Sequence, residues 1–342
     1  MQKIKILIFS AFIILSITLT SCKNDNNFDI DVSDIKIKIN VKHFEKDLFK
    51  FKLDSADFYI NLYKKKYGEF FKLFNYQITE IGPCDNKNYP ENLDMFVRYW
   101  KTENIPHILD SAFADFDTEQ IPQIENAFKH YKYYFPEDTI PDIYTFFSSF
   151  GYSVVTLDGI VGLGLDKYLG KKFYYLYDRV GWSKYQKRRM IKPMITTDIM
   201  RAVAVADYPY NDENGDNMLK KIIYEGKIQY FLNCMLPDVP DTLKWRYTAR
   251  QLAWAEKYEN KIWSYIAAQK LLYSVDRTEI RKFTGDGPYT SAFTDVSAPR
   301  AGSFIGYKIV EKYMKNNPDV SLKDLMEEQD ERKILAGAKY NP

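Results

Sequence analysis

Between Ile35 and Val41 the chain alternates without a break. Ile35, Ile37, Ile39 and Val41 are apolar, while Lys36, Lys38 and Asn40 are polar. A period of two puts the two sets on opposite faces of an extended chain, so this stretch predicts one half-buried strand. The element His43-Phe44-Glu45-Lys46-Asp47-Leu48-Phe49 follows directly. The period then lengthens, and Phe58, Tyr59, Leu62, Tyr63, Phe70, Phe71 and Phe74 predict a helix over residues 54 to 81. A loop holding Pro83 and Pro90 leads into a helix around Leu93 to Thr102, and another covers Gln120 to Tyr134.

After Pro141 the runs Ile143 to Phe147, Tyr152 to Leu157 and Gly159 to Leu163 are β-rich and cut by Gly and Ser. They predict a small antiparallel sheet, with the glycines of Gly159-Ile160-Val161-Gly162-Leu163-Gly164 read as a strand bulge. From Ile195 the chain is mostly helical, with helices expected over 195 to 208, 217 to 235, Thr248 to Tyr273, Ser303 to Met314 and Leu322 to Leu335. Ser321 with Asp324 has the spacing of a capping box for the last of these. The fold class is therefore α+β, predominantly α-helical, with a small sheet and a helical C-terminal half.

Ahead of the strand stand Lys3 and Lys5, an apolar run from Ile6 to Leu19, and Leu19-Thr20-Ser21-Cys22. The run is too short for a mature membrane span, and the small residue before a cysteine matches a bacterial lipobox. Residues 1 to 21 read as a signal peptide and Cys22 as the lipidation site, carrying diacylglyceryl and palmitate-type chains. Several acyl chains on one residue give stable anchoring, at roughly 0.8 kcal/mol per buried CH₂. The expected localisation is a cell membrane, on its extracytoplasmic side. Residues 22 to 33, rich in Asn and Asp, read as a tether, and residues 34 to 342 as one globular domain.

Charge narrows the partners. The chain has 48 Lys and Arg against 46 Asp and Glu, and cleavage before Cys22 removes Lys3 and Lys5 and no acid. A neutral mature chain argues against nucleic acid. The 28 Tyr and 23 Phe, enriched together with Lys, Asn and Ile, have the bias of an AT-rich genome rather than of a binding design. An oxidising compartment permits Cys84 and Cys234 to pair, but the apolar setting of Cys234 favours a buried small hydrophobe.

Candidate chemistry is sparse. The order of strands and helices, with Tyr224-Glu225-Gly226-Lys227 on a late helix, suggests the scaffold of gluzincin peptidases, where a His-Glu-x-x-His helix and a second-helix Glu hold zinc. The only histidines are His43, His107 and His130, and the helix at 195 to 208 offers Asp198, Arg201 and Asp207 instead. The reading is a degenerate zincin-like scaffold with no metal site, no cofactor and no catalytic residue. Its remnant pocket would hold Glu225 against Arg201 or Arg300. The simpler alternative for Glu225-Gly226 is a helix crossing at the glycine. No nucleophile elbow, P-loop or dinucleotide fingerprint occurs.

Taken in order, the lipobox, the His43 to Phe49 element, Gly162 to Gly170, Glu225-Gly226-Lys227, Gln251 to Trp254, Pro299 to Gly306, Val310 to Met314 and Ala338 to Pro342 resemble the gliding-motility lipoprotein GldB family of Bacteroidetes. The resemblance spans nearly the whole mature chain. It implies a non-enzymatic, membrane-anchored accessory of the gliding machinery and of the linked type IX secretion system, with other machinery proteins as partners. It brings no catalytic residues. A zincin-like hydrolase and a periplasmic ligand-binding lipoprotein stay open as alternatives.

Overall fold

The computed structural model describes residues 28–212 and 215–342, so Cys22 and the signal segment lie outside the described residues. Phe44 sits at the centre of the N-terminal half with no exposure. The rings of Tyr63, Tyr67, Phe70, Phe71 and Phe74 surround it edge-on, at centroid distances of 4.8 to 5.9 Å. Edge-to-face packing suits the ring quadrupoles, and it explains how one short element can organise a long helix. That element is β1 (Val41–His43) followed by α1 (Phe44–Leu48). The long helix, expected over 54 to 81, is α2 (Ala56–Leu73), broken at Gly68, where φ is +50°. Helices α3 (Tyr89–Thr102), α4 (Ile105–Ala112) and α5 (Ile121–Tyr134) complete this half.

The sheet has four strands in the order β1-β2-β4-β3, with β2 (Asp142–Phe146), β3 (Val154–Leu157) and β4 (Ile160–Gly164). It is mixed rather than antiparallel. Strand β1 pairs parallel with β2, β2 pairs parallel with β4, and only the β3–β4 hairpin is antiparallel. The long excursion through α1 to α5 brings the chain back alongside β1 in the same direction, which a tight hairpin cannot do. Asp158-Gly159 makes the two-residue turn of the hairpin, with Gly159 at φ +67°. The glycine run is therefore a turn followed by close packing, and not a bulge. A Cβ on Gly162 would lie 2.8 Å from the Phe70 ring and 2.6 Å from Val155.

Two boundaries near the N-terminus shift. Burial alternates along Ile35 to Val41, but the bonds to β2 begin only at the Asn40 carbonyl, which accepts from the Ile143 amide, while the Ile39 amide donates to Glu125 outside the sheet. The expected tether, residues 22 to 33, lies on the domain from Phe28 onward. Phe28 meets Tyr230 edge-on at 5.1 Å and Val32 is buried, so apolar contacts hold residues that composition alone marked as solvated.

The C-terminal half begins with α6 (Tyr174–Arg179), α7 (Lys184–Lys187) and α8 (Ile195–Asp207). Next come α9 (Met218–Met235), α10 (Asp241–Lys244), α11 (Ala249–Lys257) and α12 (Glu259–Ala268). Helices α13 (Arg277–Thr284), α14 (Ala301–Asn316), α15 (Leu322–Glu327) and α16 (Glu331–Ala338) end it. The expected 248–273 helix is divided at Tyr258 and stops before Lys270, which is left-handed at φ +54°. The final helix is also two. Ser321 and Asp324 do form the capping box of α15, and Asp330 then caps α16 through the amides of Arg332 and Lys333. Cys84 and Cys234 are free thiols, and Cys234 is buried at the end of α9.

Candidate functional site

Helix α8 runs beside the edge strand β3 and packs on α9. A spacing of i, i+1 and i+4, which a metallopeptidase helix would fill with His, Glu and His, falls on Thr197, Asp198 and Arg201. The Thr197 hydroxyl is buried and has no partner. Arg201 Nη2 donates to Glu225 Oε2 at 2.6 Å, and Lys221 Nζ stands 3.8 Å from the other carboxylate oxygen. The expected pairing of Glu225 with Arg201 is thus made directly across the two helices. Burial pushes the Glu225 carboxyl up, but Arg201, then Arg300 and Lys221, more than offset it and hold it below the usual range.

Arg300 arrives from a different direction. It is the left-handed residue before α14, at φ +54°, and its Nη2 donates to the Trp245 carbonyl at 2.5 Å rather than to Glu225. Its influence on Glu225 is electrostatic. The neighbouring Arg246, also left-handed at φ +56°, donates to Asp198 Oδ1 at 2.7 Å. The Tyr168 hydroxyl donates to the other oxygen of Asp198 at 2.9 Å. Tyr247 closes the arrangement by donating to the Pro299 carbonyl at 2.6 Å. Sequence reading missed Arg246, Tyr168 and Tyr247, because nothing local marks a residue whose partner lies 30 to 52 positions away. Asp207, at the far end of α8, is held by the Tyr131 hydroxyl and takes no part.

Glycine explains why α9 and α14 stand so close. A Cβ on Gly226 would lie 2.4 Å from the carbonyl carbon of Gly306, and one on Gly306 would lie 1.7 Å from the Ile222 carbonyl oxygen. The α9–α14 crossing and the α8–α9 ion pair therefore coexist at adjacent residues of α9. Lys227 follows on the same helix. Its side chain is buried and donates to the carbonyls of Met326 and Glu328 at 2.9 and 2.7 Å, at the end of α15.

The three histidines do not converge. His43 Nδ1 lies 2.9 Å from Thr145 Oγ1, which donates to the buried Glu45, whereas His130 is buried at α5. Among the described residues no group of three or more His, Cys, Asp or Glu is placed to hold a metal ion. Nor is any described helix long and apolar enough to cross a membrane. A separate cleft of about 910 Å³ opens between Phe28, the end of α9, α14 and the Tyr340-Asn341-Pro342 tail. Its wall includes Asn233, whose Oδ1 is buried without a partner. A family model described as gliding motility protein GldB matches residues 25–342. No curated protein and no solved structure matches the chain.

Proposed function

Because the chain belongs to the GldB family of gliding motility proteins, we propose that it is a lipid-anchored, non-enzymatic component of the gliding machinery and of the linked type IX secretion system. The observation that carries the non-enzymatic part is the Arg201–Glu225 pair. A guanidinium supplied by the chain already neutralises the carboxylate that a gluzincin would turn to zinc, and Asp198 is likewise committed to Arg246 and Tyr168. These carboxylates join helices and loops through the chain's own cations and hydroxyl.

The anchor reading rests on Cys22 and on the packing of Phe28. Five residues separate the two, a reach of roughly 20 Å when fully extended. A domain tied so closely would work at the membrane surface. A ligand-binding role is the second reading, favoured by the cleft beside Phe28 and the unpartnered Asn233 oxygen on its wall.

The test is a Cys22→Ala replacement in the native host, with metabolic labelling by a palmitate analogue beside assays of spreading and secretion. Loss of label together with loss of spreading is expected, since the thiol is the acylation point. Equal labelling of both strains would defeat the anchor. Normal spreading without label would defeat its role in the machine.

A further inference from the structure

Arg201, Arg246 and Arg300 meet where α8, the turn after α10 and the start of α14 come together, and Arg189 flanks them beside Tyr247. Arg201 and Arg246 are bound to Glu225 and Asp198, which are contributed by different elements. Arg300 reaches the Trp245 carbonyl, beside Arg246, and its guanidinium stands 5.9 Å from the Tyr247 ring. Arg189, from the turn after α7, donates to Asp286 at 2.6 Å, and it acts with Arg300 on the Tyr247 hydroxyl. Lys221 adds a fifth cation beside Glu225.

The carboxylates do not balance these charges. Asp198, Glu225 and Asp286 pair with Arg246, Arg201 and Arg189, Lys221 shares Glu225, and Arg300 bonds a backbone carbonyl instead of a carboxylate, so cations outnumber these three carboxylates. Nor are the donors used up. Arg300 is only 9 % exposed and its Nε has no acceptor, and the Nε and Nη2 of Arg189 are also buried without one. Burial draws the Arg300 pKa down to about 10, with the Tyr247 hydroxyl opposing and Arg201 and Arg246 adding to the drop. A buried guanidinium with unmade hydrogen bonds is costly, and Arg189 and Arg300 both carry that cost beside two further arginines. The solvent-facing side of the cluster is formed by Arg201 and Arg246, whose side chains are 21 % and 27 % exposed, with the unmade donors of Arg189 and Arg300 beneath them.

We propose that Arg189, Arg201, Arg246 and Arg300 form a binding site for an oxyanion carrying two negative charges, a phosphoryl or dicarboxylate group. The guanidinium fork matches the two-oxygen edge that both groups present, and a dianion offsets the surplus charge. This site is independent of the reading of the chain as an anchored machine part.

The purified full-length chain in detergent is titrated with millimolar sodium phosphate, and separately with sodium succinate, against sodium chloride at matched ionic strength. A saturable rise in melting temperature with either anion is expected, because a ligand that binds only the folded state stabilises it by mass action. Phosphate alone assigns a phosphoryl group, succinate alone a carboxylate, and a response to both a shared oxyanion site. Arg189→Ala unpairs only the half-exposed Asp286 but also empties a mostly buried side-chain site beside Tyr185. Its far-UV spectrum and ligand-free melting are therefore compared with wild type, and the folded variant should weaken the response about tenfold or more. Arg300→Lys keeps the charge and removes the fork, with the same expected loss. If that variant does not fold, Arg189→Ala decides alone. No shift with either anion would overturn the site, as would an unchanged shift in the variants, which is the mark of general salt exclusion.

Discussion

Gly226 and Gly306 face each other across the α9–α14 crossing so closely that neither has room for a methyl group. The added carbon would approach the opposite backbone to 2.4 Å in one case and 1.7 Å in the other. Backbone cannot swing aside as a flexible side chain can, so the helices would have to separate. Gly306→Ala should therefore cost at or beyond the upper end of the about 1–3 kcal/mol typical of overpacking, with Gly226→Ala somewhat less severe. Denaturant midpoints of the purified variants check this. Wild-type stability in Gly306→Ala would show that the crossing is not tight.

The buried ammonium of Lys227 gives a second test. It supplies the two carbonyls at the end of α15 with donors from another helix. Lys227→Met keeps the bulk and leaves Met326 and Glu328 without those partners, so a loss of about 2–4 kcal/mol is expected. Hydrogen exchange should show it first at the α15–α16 junction. Uniform loss of protection over the whole chain would instead mark Lys227 as general core packing.

How much of this could be read beforehand depended on the range of the interaction. The α8 and α9 segments and the Ser321–Asp324 box rest on spacings of four residues or fewer, and they stand within a residue or two of the expected positions. Glu225 with Arg201 was legible because both belong to such helices. Arg246 and Arg300 were harder, since both take left-handed backbone that their residue type does not advertise. The parallel pairing of β1 with β2 was hidden for a related reason. The alternation of Ile35 to Val41 predicts a face, but the partner strand lies 102 residues on.

Asp166 makes the pH dependence testable. Its carboxylate accepts from the Ser148 amide and hydroxyl at 2.8 Å each and from the Phe150 amide at 2.5 Å. These bonds hold a turn in which Ser149 and Phe150 are both left-handed, at φ +56° and +65°. Complete burial nevertheless outweighs the hydrogen bonds and raises its pKa from 3.8 to about 6. The folded state therefore holds this proton more tightly than the unfolded chain does. The contribution to stability grows as pH falls through 6 and is complete below 3.8, a span of about 3 kcal/mol. His130, whose pKa burial lowers, works in the opposite sense in the same window. The readout is thus the difference between wild type and Asp166→Asn in urea midpoint from pH 7.5 to 5. That difference should move in favour of wild type on acidification, and a constant difference would contradict the assignment.

Glu225→Gln separates the structural reading from the enzymatic one. The substitution keeps the size of the side chain and removes the charge that Arg201 and Lys221 share. Glu225 is held ionised by its cations, so its stabilising contribution is present at neutral pH and is lost only as pH falls through its lowered pKa. Removing one partner of a buried pair strands the other, and a loss of about 1–3 kcal/mol is expected. That loss should lower abundance in the cell, and spreading or secretion should fall only as far as abundance does. A carboxylate at a reacting centre behaves otherwise. Its removal raises the barrier directly, so activity disappears while the protein stays folded and at its normal level. Gene replacement in the native host, with the phenotype measured beside protein level, tells the two apart. A Glu225→Gln strain with wild-type abundance and a null phenotype would overturn the structural reading and put a hydrolase in its place.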